Sequence, residues 1–170
     1  GTEHESIVHF VENGILCDYR HMASLRNIEK ELPLDYIKKE FGHMNPILFW
    51  GAEQRAFYAN RIFGLAPQGI HSMNCLRISM AEFIDHYLDA IQTGDMHTFR
   101  RRFRSASTIL VYDVDLLKLK EFSQIAFYRL LVHMFERNRQ VILTSRKHPT
   151  KLGLIEELET MCLGGLVVNV

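Results

Sequence analysis

The stretch that decides the fold is residues 45–58, which read NPILFW and then GAEQRAFY. Its first half is an apolar run of strand length that leads to Gly51, and such a run is typical of a strand buried on both faces of a parallel sheet. Its second half carries a helical pattern that we predict to span about Gln54 to Phe63. A buried strand, a tight turn and a helix open a β-α-β unit, so the stretch predicts an α/β fold.

The rest of the chain continues this alternation. Four further strands are predicted at Cys75 to Ile78, Thr108 to Tyr112, Gln140 to Thr144 and Leu166 to Val170. Further helices are predicted behind Asp18, with Met22, Leu25, Ile28 and Leu32 on one face, at Glu121 to Arg137 and near Leu154 to Met161, and a loop at Pro67 to Gly69. Each connection between strands is too long for a hairpin, so the strands are predicted to form a parallel sheet covered by helices on both sides.

Two capping signals place a pair of helices between the second and third of these strands. Ser79-Met80-Ala81-Glu82 matches a capping box, and the helix behind it should end at Gly94. Asp95 is predicted to cap the next helix. The first of these helices carries one apolar stripe, formed by Phe83, Ile84, Tyr87, Leu88 and Ile91.

Length and composition predict one domain over residues 1–170, with 1–17 as an extended N-terminal segment. A chain of 170 residues with 47% apolar content can bury a sizeable core without disulfides. Twenty basic and twenty acidic side chains cancel, so any binding to nucleic acid must come from a local patch. Three widely spaced cysteines suit reduced, buried thiols, and no run is long enough to span a membrane. The chain is therefore predicted to be soluble and cytoplasmic, with no membrane partner.

The turn after the first strand has the frame of a phosphate-binding loop without its chemistry. In the pattern G-x-x-x-x-G-K-[ST], Gly51 takes the first position, but Ala56, Phe57 and Tyr58 stand where the second Gly, the Lys and the Ser/Thr belong. Phe57 and Tyr58, with Phe41, are predicted to fill the vacated pocket, since apolar groups stabilise an emptied polar cavity. A shifted alignment would instead let Arg55 stand in for the lysine. The rigid, planar guanidinium of arginine is, however, a poor substitute for the compact ammonium charge of lysine.

The strongest local charge cluster is basic. Arg100, Arg101, Arg102 and Arg104 surround a helix face that carries Phe99 and Phe103. These arginines are candidates for contacting nucleic acid, and the alternative is a solvated face paired with Asp85, Asp89 or Asp95.

No metal site is predicted from the sequence. Asp113 and Asp115 lie two residues apart, but two carboxylates without further ligands hold Mg²⁺ weakly, so a capping or loop role is favoured. The nine histidines never recur at ligand spacing.

Several collinear stretches resemble the ATPase domain of the bacterial replication initiator DnaA, a member of the AAA+ class. They are residues 45–51, 91–104 with the segment FRRRFR, the strand ILVYD at 109–113, QVILTS at 140–145 and GLVVNV at 165–170. The resemblance covers roughly residues 40–170 and implies a three-layer, P-loop NTPase-like core with a five-stranded parallel sheet. It does not extend to the family's helical lid or helix-turn-helix domain.

At the catalytic positions the chain departs from the pattern that the resemblance implies. Asp113 matches the acid of the Walker B strand, but Val114 follows where the family has a second acid. Arg146 stands at the position of a sensor Asp, and the arginine-bearing box maps to residues 158–162, which contain no arginine. The residues Gly51, Ala56, Phe57, Tyr58 and Asp113 therefore form a degenerate nucleotide site. No catalytic residue and no cofactor is expected.

The function that follows is an expectation with alternatives. The resemblance implies a non-hydrolysing module that acts in replication initiation or its regulation by docking on an initiator or another replication protein, and AAA+-type faces would allow self-association. Residues 80–104 resemble the family element that contacts single-stranded DNA, which makes such DNA a second candidate partner. The alternative is an initiator ATPase domain that still binds ATP with Mg²⁺ and origin DNA.

Overall fold

In the computed structural model, residues 8–12, 15–18, 34–66 and 74–170 are described, and for 8–12, 15–18 and Asn74 only the backbone. The strands are β1 Val8–Glu12, β2 Ile15–Asp18, β3 Ile47–Trp50, β4 Asn74–Ser79, β5 Ala106–Tyr112, β6 Gln140–Ser145 and β7 Leu166–Asn169. The helices are α1 Leu34–Glu40, α2 Arg55–Phe63, α3 Met80–Thr93, α4 Met96–Arg104, α5 Glu121–Glu136 and α6 Glu156–Leu163, with 3₁₀ turns at Val114–Leu117 and Pro149–Lys151.

The described strands form one sheet in the order β2-β1-β7-β3-β6-β5-β4. The five strands from β7 to β4 run parallel, which confirms the predicted five-stranded parallel core. Strand β3 lies inside it, with Ile47 opposite Ile142 of β6 on one side and Leu166 of β7 on the other. A β1–β2 hairpin that the sequence did not predict pairs antiparallel with the outer edge of β7.

Two apolar clusters lie on opposite faces of the parallel strands and make the three layers. Successive side chains of β3 alternate, as they must in a strand: Leu48 joins the cluster under α3, α5 and α6, whereas Ile47 and Phe49 join the cluster under α1 and α2. All three are fully buried. Burial on both faces is why this strand reads as a continuous apolar run.

The predicted start and end of α3 and the predicted start of α4 are confirmed. Ser79 Oγ accepts the N–H of Glu82 at 3.1 Å, and Gly94 ends α3 in the left-handed conformation at φ 73°. Asp95 Oδ1 accepts the N–H of Thr98 at 3.1 Å, and this hydrogen bond is the main reason that the pKa of Asp95 lies below its usual value. The caps therefore fix where the chain reverses between the two helices.

The predicted apolar stripe of α3 is only partly covered. Phe83 and Ile84 are buried, but Leu88 and Ile91 remain 53% and 51% exposed. Helical spacing correctly marked the apolar face, and the neighbouring helices cover only its first half.

Some predictions fall beyond the described residues. The helix predicted behind Asp18 lies in 19–33, and Asp18 itself is the last residue of β2. The loop at 67–69 and the side chain of Cys17 are also outside the description. Cys162 is buried as predicted, and burial raises the pKa of its thiol to about 12. Among the described helices, none is long and apolar enough to cross a membrane.

The turn at Gly94 offers a test of backbone strain without steric clash, because a Cβ added there would meet no atom within 4 Å. We expect Gly94→Ala to lower the free energy of unfolding by roughly 1–2 kcal/mol, the strain of a left-handed residue with a Cβ. Gly94→Asn should lower it less, since asparagine visits this conformation more readily. Urea denaturation of both variants is the measurement, and equal stability of the wild type and the alanine variant would contradict the assignment.

Candidate functional site

The candidate site lies at the carboxyl edge of the parallel strands, where α/β folds bind their ligands. Residues 51–54 connect β3 to α2, Asp113 follows β5, and Val170 follows β7. Gly51 donates its N–H to the carbonyl oxygen of Ser145 at the end of β6 (3.1 Å), which closes the connection against the sheet.

Gly51 is required by its contact with the last residue of β7 and the residue that follows it. Its φ is 123°, and a Cβ added there would lie 2.5 Å from the carbonyl oxygen of Val170 and 2.9 Å from Asn169 Oδ1. Real Cβ atoms do not approach so closely, so no side chain fits without moving the backbone. Ala52 also donates its N–H to the Val170 carbonyl, at 3.2 Å. The amide groups of Gly51 and Ala52 are therefore used by neighbouring strands and do not form an anion cradle.

Arg55 occupies the inside of the connection. Its Nη1 atom donates to the carbonyl oxygens of Gly51 and Ala52, each at 3.1 Å, and its Nη2 lies 3.4 Å from Asp113 Oδ1. Only 16% of the Arg55 side chain and 34% of the Asp113 side chain are exposed. The connection thus presents two carbonyl oxygens to a cation, which is the opposite polarity to a loop that presents N–H groups to a phosphate.

Asp113 is held in a fixed position by its backbone. It adopts the left-handed conformation at φ 62° and ψ 57°, and its N–H donates to Thr144 Oγ1 of β6 at 2.9 Å. Left-handed residues other than glycine are uncommon, although Asp is among the types that tolerate the conformation. Its carboxylate is thereby directed at Arg55.

The second acid of the predicted pair has a different partner. Asp115 Oδ1 accepts the N–H of Arg146 at 3.2 Å, so this carboxylate ties the turn after β5 to the segment after β6. In the described part of the chain, no group of three or more His, Cys, Asp or Glu residues is placed to hold a metal ion.

The structure separates the residues that were predicted to fill the pocket. Tyr58 is buried, and its ring stacks on Phe49 with centroids 6.3 Å apart. Phe57 is 51% exposed and lies against Tyr58 and Arg61 on the surface of α2. The prediction that Phe57 fills the pocket is therefore wrong. Ala56 is half-buried in the first turn of α2, and Phe41 is half-buried beside the same core.

Arg55 is the residue that sequence reasoning missed in this role, having considered it only as a substitute for the lysine. The signal was available, because one arginine follows a buried strand by a few residues and one aspartate directly follows another strand of the same predicted parallel sheet. In a parallel sheet those two positions meet at the same edge.

The four arginines of α4 do not form one patch. Arg100 and Arg104, one turn apart, line a groove between α3, α4 and α5. Arg102 instead lies over the ring of Phe103 and contacts His86 Nε2 at 2.9 Å. Arg100, Arg101 and Arg102 are exposed and Arg104 is partly buried. Among these described residues no ion pair joins an α4 arginine to Asp85, Asp89 or Asp95, so the predicted pairing is not observed.

The Arg55–Asp113 contact should contribute measurably to stability. Arg55→Met keeps the length of the side chain but removes the guanidinium donor from the Gly51 carbonyl oxygen and the half-buried Asp113 carboxylate. The Ala52 carbonyl oxygen still accepts the backbone N–H of residue 55. Loss of such donors costs roughly 1–3 kcal/mol. We expect the free energy of unfolding to fall by about this amount, measured by urea denaturation with the fluorescence of Trp50, the one tryptophan of the chain. Arg137→Met removes an exposed arginine as the control, and an equal effect of both changes would contradict the assigned role of Arg55.

A family profile and curated relatives show which family the chain is similar to. A family profile described as "Bacterial DnaA ATPAse domain" matches residues 35–169. The chromosomal replication initiator protein DnaA of Corynebacterium aurimucosum is 27% identical over 129 residues, which are 74% of this chain and 24% of that protein. The chain therefore spans about a quarter of the length of this curated relative.

Solved structures of DnaA proteins have a similar fold. Domain III of the Thermotoga maritima replication initiation protein DnaA matches with a TM-score of 0.72 and 20% identity, covering 79% of this chain and 57% of that one. A structure of replication initiator DnaA bound to AMPPCP and single-stranded DNA matches with a TM-score of 0.70 and 24% identity, covering 79% and 43%. At these identities the likeness establishes the fold alone.

Proposed function

Because the chain belongs to the family of bacterial DnaA ATPase domains, we propose that it acts in replication initiation or its regulation as a module that does not hydrolyse ATP. It does so by docking on an initiator or another replication protein, with self-association through AAA+-type faces as a further route of assembly. The observation that carries the proposal is the position of Arg55, whose guanidinium takes up the carboxylate and the loop carbonyls of the degenerate site.

Binding of Mg-ATP at this site would have to displace Arg55. Two hydrogen bonds to carbonyl oxygens and one ion pair would break before a phosphate or a metal ion reached Asp113. At about 1 kcal/mol for each net contact, and somewhat more for the charged one, the displacement costs roughly 3–4 kcal/mol. This lowers affinity by about two to three powers of ten. The missing lysine and the hydrogen-bonded amides lower the affinity further. The loop then offers the phosphates no contact that would compensate for displacing Arg55.

The positions required for hydrolysis point the same way. Val114, which follows Asp113 where the resemblance implies a second acid, is fully buried and apolar. It cannot orient or deprotonate an attacking water. Leu158 and Cys162, in the segment that maps to the arginine-bearing box, are also buried. Their side chains pack into the core and offer no cation to a neighbouring subunit.

Single-stranded DNA is the second candidate partner. The supporting observation is that the arginines of α4 have no acidic partner in the described part of the chain and that Arg100, Arg101 and Arg102 are exposed. Exposed cations next to aromatic rings are the elements from which single-strand binding sites are built. A DnaA structure with this fold holds such DNA, and for the present chain DNA binding is part of the proposal.

Calorimetry with ATP and Mg²⁺ tests the first proposal directly. We expect heats that correspond to a Kd of about 1 mM or weaker, because ATP must first displace Arg55 from its contacts. The DnaA protein of the AMPPCP complex serves as the positive control under the same conditions. Micromolar binding by this chain would instead support the alternative of an initiator ATPase domain that retains its nucleotide.

Fluorescence anisotropy with a labelled single-stranded oligonucleotide tests the DNA candidate. We expect weak binding whose log K falls with log salt at roughly −0.7 per phosphate contacted. The double change Arg100→Ala with Arg101→Ala should abolish the signal, whereas Arg137→Ala, which removes one exposed arginine elsewhere, should change it little. No binding at low salt would remove DNA from the proposal and leave protein docking.

A further inference from the structure

An apolar groove opens on the side of the sheet away from α2, between α3, α4 and α5. Its volume is about 400 Å³. Phe83, Phe99 and Phe103 form its floor and contact one another, with ring centroids 4.9 to 5.5 Å apart. Because these rings are held by the core, the groove is formed before any ligand arrives.

The rims of the groove carry apolar side chains exposed to solvent. Ile91 of α3 is 51% exposed, and Phe122 at the start of α5 is 77% exposed. Leu88, one turn before Ile91, is also exposed. Exposed apolar side chains that are grouped around a groove, and not scattered singly, mark a place where another molecule binds.

The segment that leads into α5 adds a second observation. Leu119, three residues before Phe122, is 91% exposed and adopts the left-handed conformation at φ 63°. A bulky residue other than glycine in this conformation is a genuine outlier, and such strain concentrates at functional segments. Since this leucine contributes almost nothing to the core, stability alone does not account for it.

The charge around the groove indicates which kind of ligand it would bind. Arg100 and Arg104 of α4 and Arg129 of α5 line it, and none of the described residues that line it is acidic. The whole chain has a formal net charge of zero, so this basic rim is a local feature. Complementary charge steers a partner and fixes its orientation.

We propose that this groove binds an amphipathic helix of a partner protein, with apolar residues at i, i+3, i+4 and i+7 entering the groove and flanking Asp or Glu residues meeting the arginines. Recognition of a helix in an apolar groove follows this spacing. The groove would be the surface through which the proposed docking on a partner protein takes place. Binding of the helix does not depend on whether the domain binds ATP.

The shape of the groove favours a helix over single-stranded DNA. Bases stack on open aromatic faces, but Phe99 and Phe103 are engaged with Phe83 and with each other. Besides its arginines and the rings of Tyr87 and Phe122, the remaining lining is unbranched or branched aliphatic and thioether side chains, namely Ile91, Met96, Ile125, Ala126 and Leu130. Branched aliphatic side chains from a helix fill such a space better than planar bases do.

The test uses the full chain and a designed, fluorescein-labelled peptide of about 15 residues, long enough to form a helix on binding. The peptide carries leucines at i, i+3, i+4 and i+7 and glutamates between them. One control peptide has the same composition in an order without helical periodicity, and another has lysine in place of glutamate. We expect anisotropy to report binding of the acidic amphipathic peptide with a Kd on the order of 10 μM and at least roughly tenfold weaker binding of both controls.

Variants of the chain locate the binding. Phe122→Ala and Ile91→Ala should each weaken it by roughly tenfold, and Arg100→Glu should do the same by opposing the acidic flank. Leu65→Ala and Arg137→Glu, which change partly exposed residues outside the groove, should change it by less than about twofold. Circular dichroism checks that each variant is folded, which is expected because every altered side chain is at least partly exposed.

Four outcomes would overturn the proposal. They are no binding of the acidic peptide at about 1 mM, equal binding of the control peptides, displacement of the peptide by a single-stranded oligonucleotide with higher affinity, and protection of Phe122 from hydroxyl-radical labelling in the free protein. The last would show that another part of this chain or a second copy covers the groove. Because the readout is peptide binding, failure here leaves the calorimetric test of the ATP proposal unaffected.

Discussion

The close approach of the end of β7 to Gly51 is the constraint on which the candidate site depends. The carbonyl oxygen of Val170 leaves no room for a Cβ at Gly51 and accepts the N–H of Ala52. With these amides turned toward the strands, the carbonyl oxygens of Gly51 and Ala52 face the inside of the connection. Such oxygens need a donor, and Arg55 supplies it while also meeting Asp113. One packing contact thus converts a phosphate-loop frame into a site for a cation of the chain itself.

The parallel core could be predicted from sequence because its strands are buried on both faces and therefore read as apolar runs. Both ends of α3 and the start of α4 were predictable for a local reason, since Ser79, Gly94 and Asp95 act through hydrogen bonds and dihedral angles within a few residues. The β1–β2 hairpin was not predicted, because its strands are short and its pairing with β7 joins distant parts of the chain. Similarly, spacing identified the apolar face of α3 but not its coverage, which depends on where α4 and α5 pack.

The sequence predicted which phosphate-binding residues the candidate site lacks, but not which side chain takes their place. The sequence showed that Lys and Ser/Thr are absent, but the residue that replaces them depends on where α2 begins. Successive residues of a helix differ by about 100° in direction. With the helix starting at Arg55, Tyr58 faces the core and Phe57 faces solvent. A shift of one residue would exchange these roles, and sequence reasoning does not fix a helix start to that accuracy.

Replacing a ligand by an internal side chain also changes what controls the domain. A nucleotide-binding relative gains stability from its ligand by RT ln(1 + [L]/Kd), which is about 2.7 kcal/mol at a hundredfold excess over Kd. The contacts of Arg55 with Asp113 and the two carbonyl oxygens are instead present at every nucleotide concentration. Under the proposed function, the groove and the arginines on the opposite side of the sheet keep one arrangement whatever the ATP level. The assembly of such a module would then depend on whether its partner is present and not on which nucleotide is bound.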